Sequence, residues 1–250
     1  MTLGFWDIAL LVLVGAQGTL LSYLRHPKWK ALIMALPIPF TLAALAVGMP
    51  VNTTHVVALN LLLAYAHGVR LLHNRVGLPI LPSIILSAGG YCGAGVLLRP
   101  LLPQTETAFW LACVLTMGVA VLARVLYRCP EEPEHRSHLP VWVKFPIIVG
   151  VIFMLILIKR LLQGFMTMFP MVGVIASYEA RTSLGLVCRA LSDFIFAMVP
   201  MLAAVRLVQP RLGLGAALIV GWVVFLPMLT PLIRDFWRSK NEPPSAPGME

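Results

Sequence analysis

The sequence predicts an all-α, polytopic membrane protein of about nine transmembrane helices: two four-helix inverted repeats joined by a linking helix. Three observations carry this prediction: the composition, the length of the apolar runs and an internal repeat. Of the 250 residues, 59% are hydrophobic and 12% are charged, and the mean hydropathy is +0.89, which excludes a water-soluble domain of this size. The net charge of +9 does not indicate nucleic-acid binding, because the lysines and arginines stand in loops and at span ends, where they set orientation.

Apolar runs of about 18 to 22 residues fill most of the chain, and a helix of this length spans a bilayer. We predict spans at residues 6–24, 31–48, 55–72, 78–98, 107–127, 141–158, 161–178, 183–208 and 213–233. No basic residue precedes Phe5, so we expect the first run to be a span and not a cleaved signal peptide.

A ten-residue basic turn, here called the turn motif, occurs twice, at residues 69–78 and 205–214. The copies read Val-Arg-Leu-Leu-His-Asn-Arg-Val-Gly-Leu and Val-Arg-Leu-Val-Gln-Pro-Arg-Leu-Gly-Leu, with six identical positions. Each copy ends one span and opens the next, which favours a true duplication over a chance likeness of basic turns. The predicted units are residues 1–100 (first repeat), 101–140 (linking span and polar cytoplasmic loop), 141–236 (second repeat) and 237–250 (disordered tail).

The basic residues predict the orientation of the spans. With nine spans and the amino terminus outside, thirteen of the 19 Lys and Arg face the cytoplasm, five face outside, and Arg189 lies within a span. This bias follows the positive-inside rule and puts the carboxyl terminus in the cytoplasm. Span 5 then makes the second repeat inverted, an arrangement typical of secondary transporters. Without span 5 the repeat would be parallel, and the basic residues would divide nine to nine.

Two corresponding spans are interrupted by proline: span 2 by Pro37 and Pro39, and span 7 by Pro170, which follows Phe169. Phe169 is counted with the prolines as a candidate substrate-binding residue. Proline removes a backbone donor and frees a carbonyl at membrane depth. Paired interruptions at matching places in two repeats predict a substrate-binding site. A simple kink in each helix is the alternative.

Span 8 contains two ionisable residues, Arg189 and Asp193. They are four positions apart, so they share one helix face and are predicted to pair. Ionisable groups in a membrane usually face a cavity or a partner, which predicts a substrate-binding role; an ion pair that only fixes helix packing is the alternative. Tyr178 and Glu179, at the end of span 7, are expected near Arg189 and complete the candidate site.

Other polar residues are weaker candidates. Interhelical hydrogen bonds are the expected role of Gln17, Asn60, Tyr65 and His67. His135 and His138 have metal-like spacing, but their charged loop favours a solvated segment. The sequence holds no phosphate loop, nucleophile elbow or metalloprotease motif, so we expect no enzyme, metal or cofactor.

One block resembles a known family. The segment Phe169-Pro170-Met-Val-Gly173-Val-Ile-Ala176-Ser177-Tyr178, followed by Arg189-Ala190 and Pro200, is similar to the GlpM family of small bacterial inner-membrane proteins. The resemblance covers residues 161–232 and marks Phe169, Pro170, Tyr178, Arg189 and Pro200, but not Asp193. It implies a bacterial inner-membrane protein. Because some small members look like dual-topology proteins, this chain resembles a tandem, fused form of an antiparallel pair.

Three functions are weighed. The leading hypothesis is a transporter or channel for a small solute or ion, with its pathway between the inverted repeats. The second is a non-transporting accessory protein of a cell-envelope or polysaccharide assembly, with the small-residue face of span 4 (Gly89 and Gly93) as a partner interface. An intramembrane enzyme acting on a lipid is the weakest. The predicted partners are the lipid bilayer and a small solute or ion, with homo-oligomerisation left open.

Overall fold

The computed structural model describes residues 4–23, 33, 36–126 and 141–239, and the regular structure in these ranges is helical. The helices are α1 (Phe5–Tyr23), α2 (Ile38–Val47), α3 (Thr53–Asn74), α4 (Ile80–Leu98), α5 (Glu106–Leu126), α6 (Val141–Leu162), α7 (Gly164–Thr167), α8 (Met171–Glu179) and the long segment Leu184–Ser239. Gly213, with φ 77° and ψ 168°, divides that segment into α9 (184–212) and α10 (214–239). The loop that carries His135 and His138 and the tail from residue 240 lie outside the described residues.

Four of the described helical stretches are long and apolar enough to cross a membrane: Thr53–Asn74, Ile80–Leu101, Glu106–Leu126 and Val187–Thr230. The last stretch has 44 residues and contains the break at Gly213. Large apolar side chains cover the outer faces, for example Leu97 (71% exposed) on α4 and Val114 (70% exposed) on α5. A continuous apolar surface of this kind suits contact with lipid. The chain is therefore an all-α membrane protein.

Helix α3 lies at the centre of the bundle, where it packs against α4, α5, α7 and the α9–α10 segment. It begins with a capping box. The Asn52 side chain accepts from the Thr54 N–H at 3.1 Å, and the Asn52 N–H donates to Nδ1 of His55 at 3.2 Å. Because these bonds satisfy donors and acceptors of the first turn, α3 can begin in a buried position.

Polar contacts at one end of the bundle fix the relative directions of the helices. Asp7, in the first turn of α1, pairs with Lys159, in the last turn of α6, at 2.6 Å. Val51, just before α3, exchanges two hydrogen bonds of 2.8 and 2.9 Å with the amide of Gln209 and accepts a third, of 2.9 Å, from Arg206, near the end of α9. Helices α1 and α6 therefore run in opposite directions, and so do α3 and α9.

Both copies of the turn motif place a glycine in the left-handed region, with φ 79° at Gly77 and 77° at Gly213. Residues with a Cβ are strained there, which explains a glycine at this position. The copies differ at their fifth position. In the first copy, Nδ1 of His73 donates to the carbonyl of Leu78 across the turn, at 2.8 Å. In the second copy, Gln209 stands at this position and bonds Val51 instead.

Candidate functional site at the junction of two interrupted helices

The interruption of span 7 lies between α7 and α8. In a continuous helix the Phe169 N–H would bond the carbonyl of Phe165. It donates instead to Met166, at 3.2 Å, and the Phe165 carbonyl accepts from the hydroxyl of Tyr91 on α4, at 2.7 Å. The Tyr91 ring also meets the Phe169 ring edge-on, with centroids 5.4 Å apart. A side chain of a neighbouring helix thus satisfies a carbonyl that the interruption leaves free.

Tyr91→Phe keeps this ring contact and removes the hydroxyl. We expect a loss of about 1–3 kcal/mol in the free energy of unfolding, because the buried Phe165 carbonyl loses its donor. The measurement is the apparent Tm of the purified protein in detergent. Tyr178→Phe is the matched control, since its ring keeps the contact with the Arg181 guanidinium at 5.7 Å. If both variants have the same apparent Tm as wild type, the Tyr91 hydroxyl does not stabilise the interruption of span 7.

At the interruption of span 2, a side chain of another helix likewise bonds a backbone carbonyl that the proline leaves free. Pro37 has no N–H to bond the carbonyl of Ile33, and Nε2 of Gln17 on α1 donates to that carbonyl at 2.8 Å. Helix α2 begins directly after Pro37 and holds Pro39 in its first turn. The other amide atom of Gln17, Oε1, is buried and has no hydrogen-bond partner among the described residues.

The two interrupted spans meet at the first turn of α3, because α2 and α3 both pack against α7. His55 of α3 is fully buried there. Its ring meets the ring of Phe40 on α2 edge-on, at 6.5 Å between centroids. A Cβ added to Gly164 of α7 would lie 3.0 Å from Cε1 and Nδ1 of His55 and would overlap the hydroxyl of Thr54. We call this place the junction, formed by Phe40, Asn52, His55 and Gly164.

The junction holds one ring nitrogen of His55 and leaves the other without a partner. Nδ1 lies 3.2 Å from the Asn52 nitrogen and 2.9 Å from its Oδ1. Nε2 of His55 is buried without a hydrogen-bond partner in the described part of the chain, as is Oγ1 of Thr53. An unsatisfied buried group costs roughly 1–3 kcal/mol, so such groups in native proteins call for a bound water or ligand.

The predicted proline residues occupy the two interruptions. Pro37 and Pro170 are the N-cap residues of α2 and α8, and both are buried. Their carbonyls accept from the residue four positions on, at 3.0 Å for Thr41 and 2.8 Å for Val174. Each proline therefore stands at the start of the helix that follows it.

Two other candidates lie at the far end of α8. Glu179 is buried, and Tyr178 lies under the Arg181 guanidinium. The expected proximity of Tyr178 and Glu179 to Arg189 stays a prediction.

The structure pairs Asp193 with an arginine other than Arg189, the partner expected from the sequence. Asp193 pairs with Arg124, near the end of α5, at 2.5 Å, and Arg189 is exposed. An arginine four residues before an aspartate is the less favourable order for a pair within one helix. Helix α5 packs against the α9–α10 segment, so that Arg124 of α5 reaches Asp193. The ion pair thus joins α5 to α9.

Three of the weaker candidates make interhelical contacts, as predicted. Gln17 bonds span 2 as described above. Nδ2 of Asn60 donates to Oγ1 of Thr116 at 2.7 Å, which joins α3 to α5. The Tyr65 hydroxyl lies 3.5 Å from Oγ of Ser177, which joins α3 to α8.

Neither His55 nor the pair of Asp7 with Lys159 was predicted from the sequence. A signal for His55 was present, because Asn52 followed three positions later by a polar side chain has capping-box spacing. The ion pair had none, since 152 residues separate its members and only the packing of α1 on α6 brings them together.

The described residues contain no group of three or more His, Cys, Asp or Glu side chains that could hold a metal ion. Comparison with protein-family models, with curated proteins and with solved structures found no match to this chain. The resemblance to the GlpM family therefore stays a prediction from the motif.

Proposed function

We propose that this protein is a transporter or channel for a small solute or ion, with its pathway between two inverted repeats. The junction is the observation that carries the proposal. Two interrupted spans meet there around a buried histidine whose Nε2 has no partner in the described part of the chain. Polar atoms of this kind are costly in a membrane protein that only needs to pack, and they suit a site that a solute occupies.

The directions of the helices support inverted repeats. The predicted repeats match span 1 with span 6 and span 3 with span 8. The helices at these positions, α1 with α6 and α3 with α9, are antiparallel by the contacts of Asp7 with Lys159 and of Val51 with Gln209. Inversion of one repeat relative to the other accounts for this arrangement.

The finer assignments belong to the same proposal. In this proposal the protein has nine spans, an external amino terminus and a cytoplasmic carboxyl terminus. It lies in a bacterial inner membrane and is a fused member of the GlpM family. Residues Asn74 and Pro210 occupy the same position in the two turn motifs, and both are exposed. In a background without Cys92, Cys113, Cys129 and Cys188, single cysteines at these two positions should react with an impermeant maleimide from opposite sides of the membrane. Labelling of both cysteines from the same side would show that the repeats are parallel.

Flux measurements test the activity. Wild-type proteoliposomes should move at least one of four probes faster than empty vesicles do. The flux of urea and of water is followed by light scattering, and the flux of potassium and of chloride is followed by ion-selective electrodes. To separate transporter from channel, cysteines replace Thr41 of α2 and Trp222 of α10, which bond at 2.9 Å. A reversible bifunctional thiol reagent would stop a transporter by fixing the helices together, and a channel would continue to conduct.

One observation favours the accessory function as the second candidate. Gly89 and Gly93 of α4 are exposed, and a Cβ added to either would meet no atom within 4 Å. Such a face allows close approach of another helix. Absence of flux for every solute in the panel, together with stable co-purification of another membrane protein, would support this function and contradict transport.

A further inference from the structure

We propose that His55 is a solute-binding residue and that it selects small uncharged solutes, which accept a hydrogen bond from its Nε2–H. This inference rests on the proposed function and names its substrate class. Three observations carry it: the tautomer of the ring, the absence of ionisable groups on the two helices of the junction, and the position of His55 between the interrupted spans.

The contacts of Asn52 favour one tautomer of His55. Oδ1 of Asn52 accepts from the N–H and from the hydroxyl of Thr54, at 3.1 and 2.6 Å, and these two donors occupy its two lone pairs. Nδ1 of His55 lies 2.9 Å from this Oδ1, which already has both lone pairs engaged, and 3.2 Å from the Asn52 N–H, which can only donate. Nδ1 of His55 therefore accepts, and the neutral ring carries its proton on Nε2. The atom without a partner is a donor, so it requires an acceptor.

The charges around the junction indicate an uncharged acceptor. Helices α2 and α7, which contact His55, carry no ionisable side chain. Arg206 reaches the chain near the junction, but it bonds the Val51 carbonyl and the Glu106 carboxylate. An anion at Nε2 would meet no countercharge on these helices, and burial of an uncompensated charge is far more costly than burial of a neutral polar group. A carbonyl or hydroxyl of a small neutral solute fits these conditions.

The position of His55 connects solute binding with movement of the two interrupted spans. Its ring lies between Phe40 of α2 and Gly164 of α7, so it touches both interrupted spans. A solute bound at Nε2 would contact the two segments whose helices are already broken. Movement of either segment would then change access to the solute.

Two substitutions separate the contributions of Nδ1 and Nε2 of His55. In His55→Gln the side-chain amide nitrogen takes the place of Nε2 and keeps a donor. In His55→Asn the amide takes the place of Nδ1, keeps a partner for Asn52 and removes the donor. The control is His73→Gln, at the other end of α3, where the ring bonds the Leu78 carbonyl of its own turn. Each variant is checked for folding by gel filtration and apparent Tm.

The full chain in proteoliposomes should move urea faster than potassium or chloride. We expect His55→Asn to slow urea flux by roughly fivefold, the equivalent of one neutral hydrogen bond. His55→Gln should slow it less than His55→Asn, because it keeps a donor, and His73→Gln should stay near wild type. Ion flux without urea flux would overturn the inference and leave the proposed function standing; no flux of any probe would overturn both.

A second measurement does not depend on transport. In ¹⁵N-histidine-labelled wild-type protein in nanodiscs, the His55 resonances should report a neutral ring protonated at Nε2, and urea should shift the Nε2 signal. A ring protonated at Nδ1, or an Nε2 signal insensitive to urea, would overturn the inference even if His55→Asn failed to fold.

Discussion

Gly164→Ala should prevent α7 from packing on α3. The added Cβ would overlap the Thr54 hydroxyl and crowd the ring of His55, and both neighbours are fixed by the capping box. Overpacking of a rigid site costs about 1–3 kcal/mol or more, which corresponds to a fall in apparent Tm of roughly 2–12 °C for a chain of this size. The measurement is the apparent Tm of the purified protein, together with its yield in the membrane.

Gly118→Ala on α5 is the matched control for Gly164→Ala. A Cβ added there meets no atom within 4 Å, and alanine favours a helix over glycine by about 1 kcal/mol, so this variant should be neutral or more stable. Equal Tm values for the two variants would show that α7 does not depend on close approach to α3.

Asp7→Asn should cause the second large loss of stability. The Asp7 carboxylate is 3% exposed and pairs with Lys159, whose side chain is 22% exposed. Removal of one partner from a buried pair costs about 3–5 kcal/mol, because the other charge loses its compensation. The free energy of unfolding of Asp7→Asn, of Lys159→Met and of the double variant gives the coupling between the two residues. The double variant should recover part of the loss.

Glu106→Gln provides the comparison for this pair. Glu106 pairs with Arg206 at 2.5 Å, but its side chain is 65% exposed, and exposed pairs contribute only about 0–1 kcal/mol. A loss for Asp7→Asn no larger than that for Glu106→Gln would mean that solvent reaches the Asp7 pair and that α1 and α6 are joined by apolar contacts.

The helix bounds were predictable because the bilayer sets the length of a span. Helices α1, α3 and α5 begin and end within two residues of the predicted spans 6–24, 55–72 and 107–127. Proline chemistry likewise predicted helix breaks at Pro37 and Phe169-Pro170. These features depend on local sequence, so no knowledge of the packing is required.

The partners of the polar residues were not predictable in the same way. A helical pattern gives neighbours within one helix, which is why Arg189 was the expected partner of Asp193. The structure pairs Asp193 with Arg124, which is 69 residues away in the chain. The spacing of Asn52 and His55 indicates a capping box, but the contact of His55 with α7 depends on Gly164, more than 100 residues later in the chain.

The bonds at Val51 restrict how α3 and α9 can move past each other. The amide of Gln209 binds both the N–H and the carbonyl of this one residue, as a neighbouring β-strand would, and Arg206 adds a third bond to the same carbonyl. Translation of α9 along α3 would break all three bonds together, whereas a rotation centred on Val51 could keep them. Val51 is therefore the point about which α3 and α9 can rotate without losing these bonds. The fifth residue of the turn motif bonds within its own turn at His73 and links two helices at Gln209.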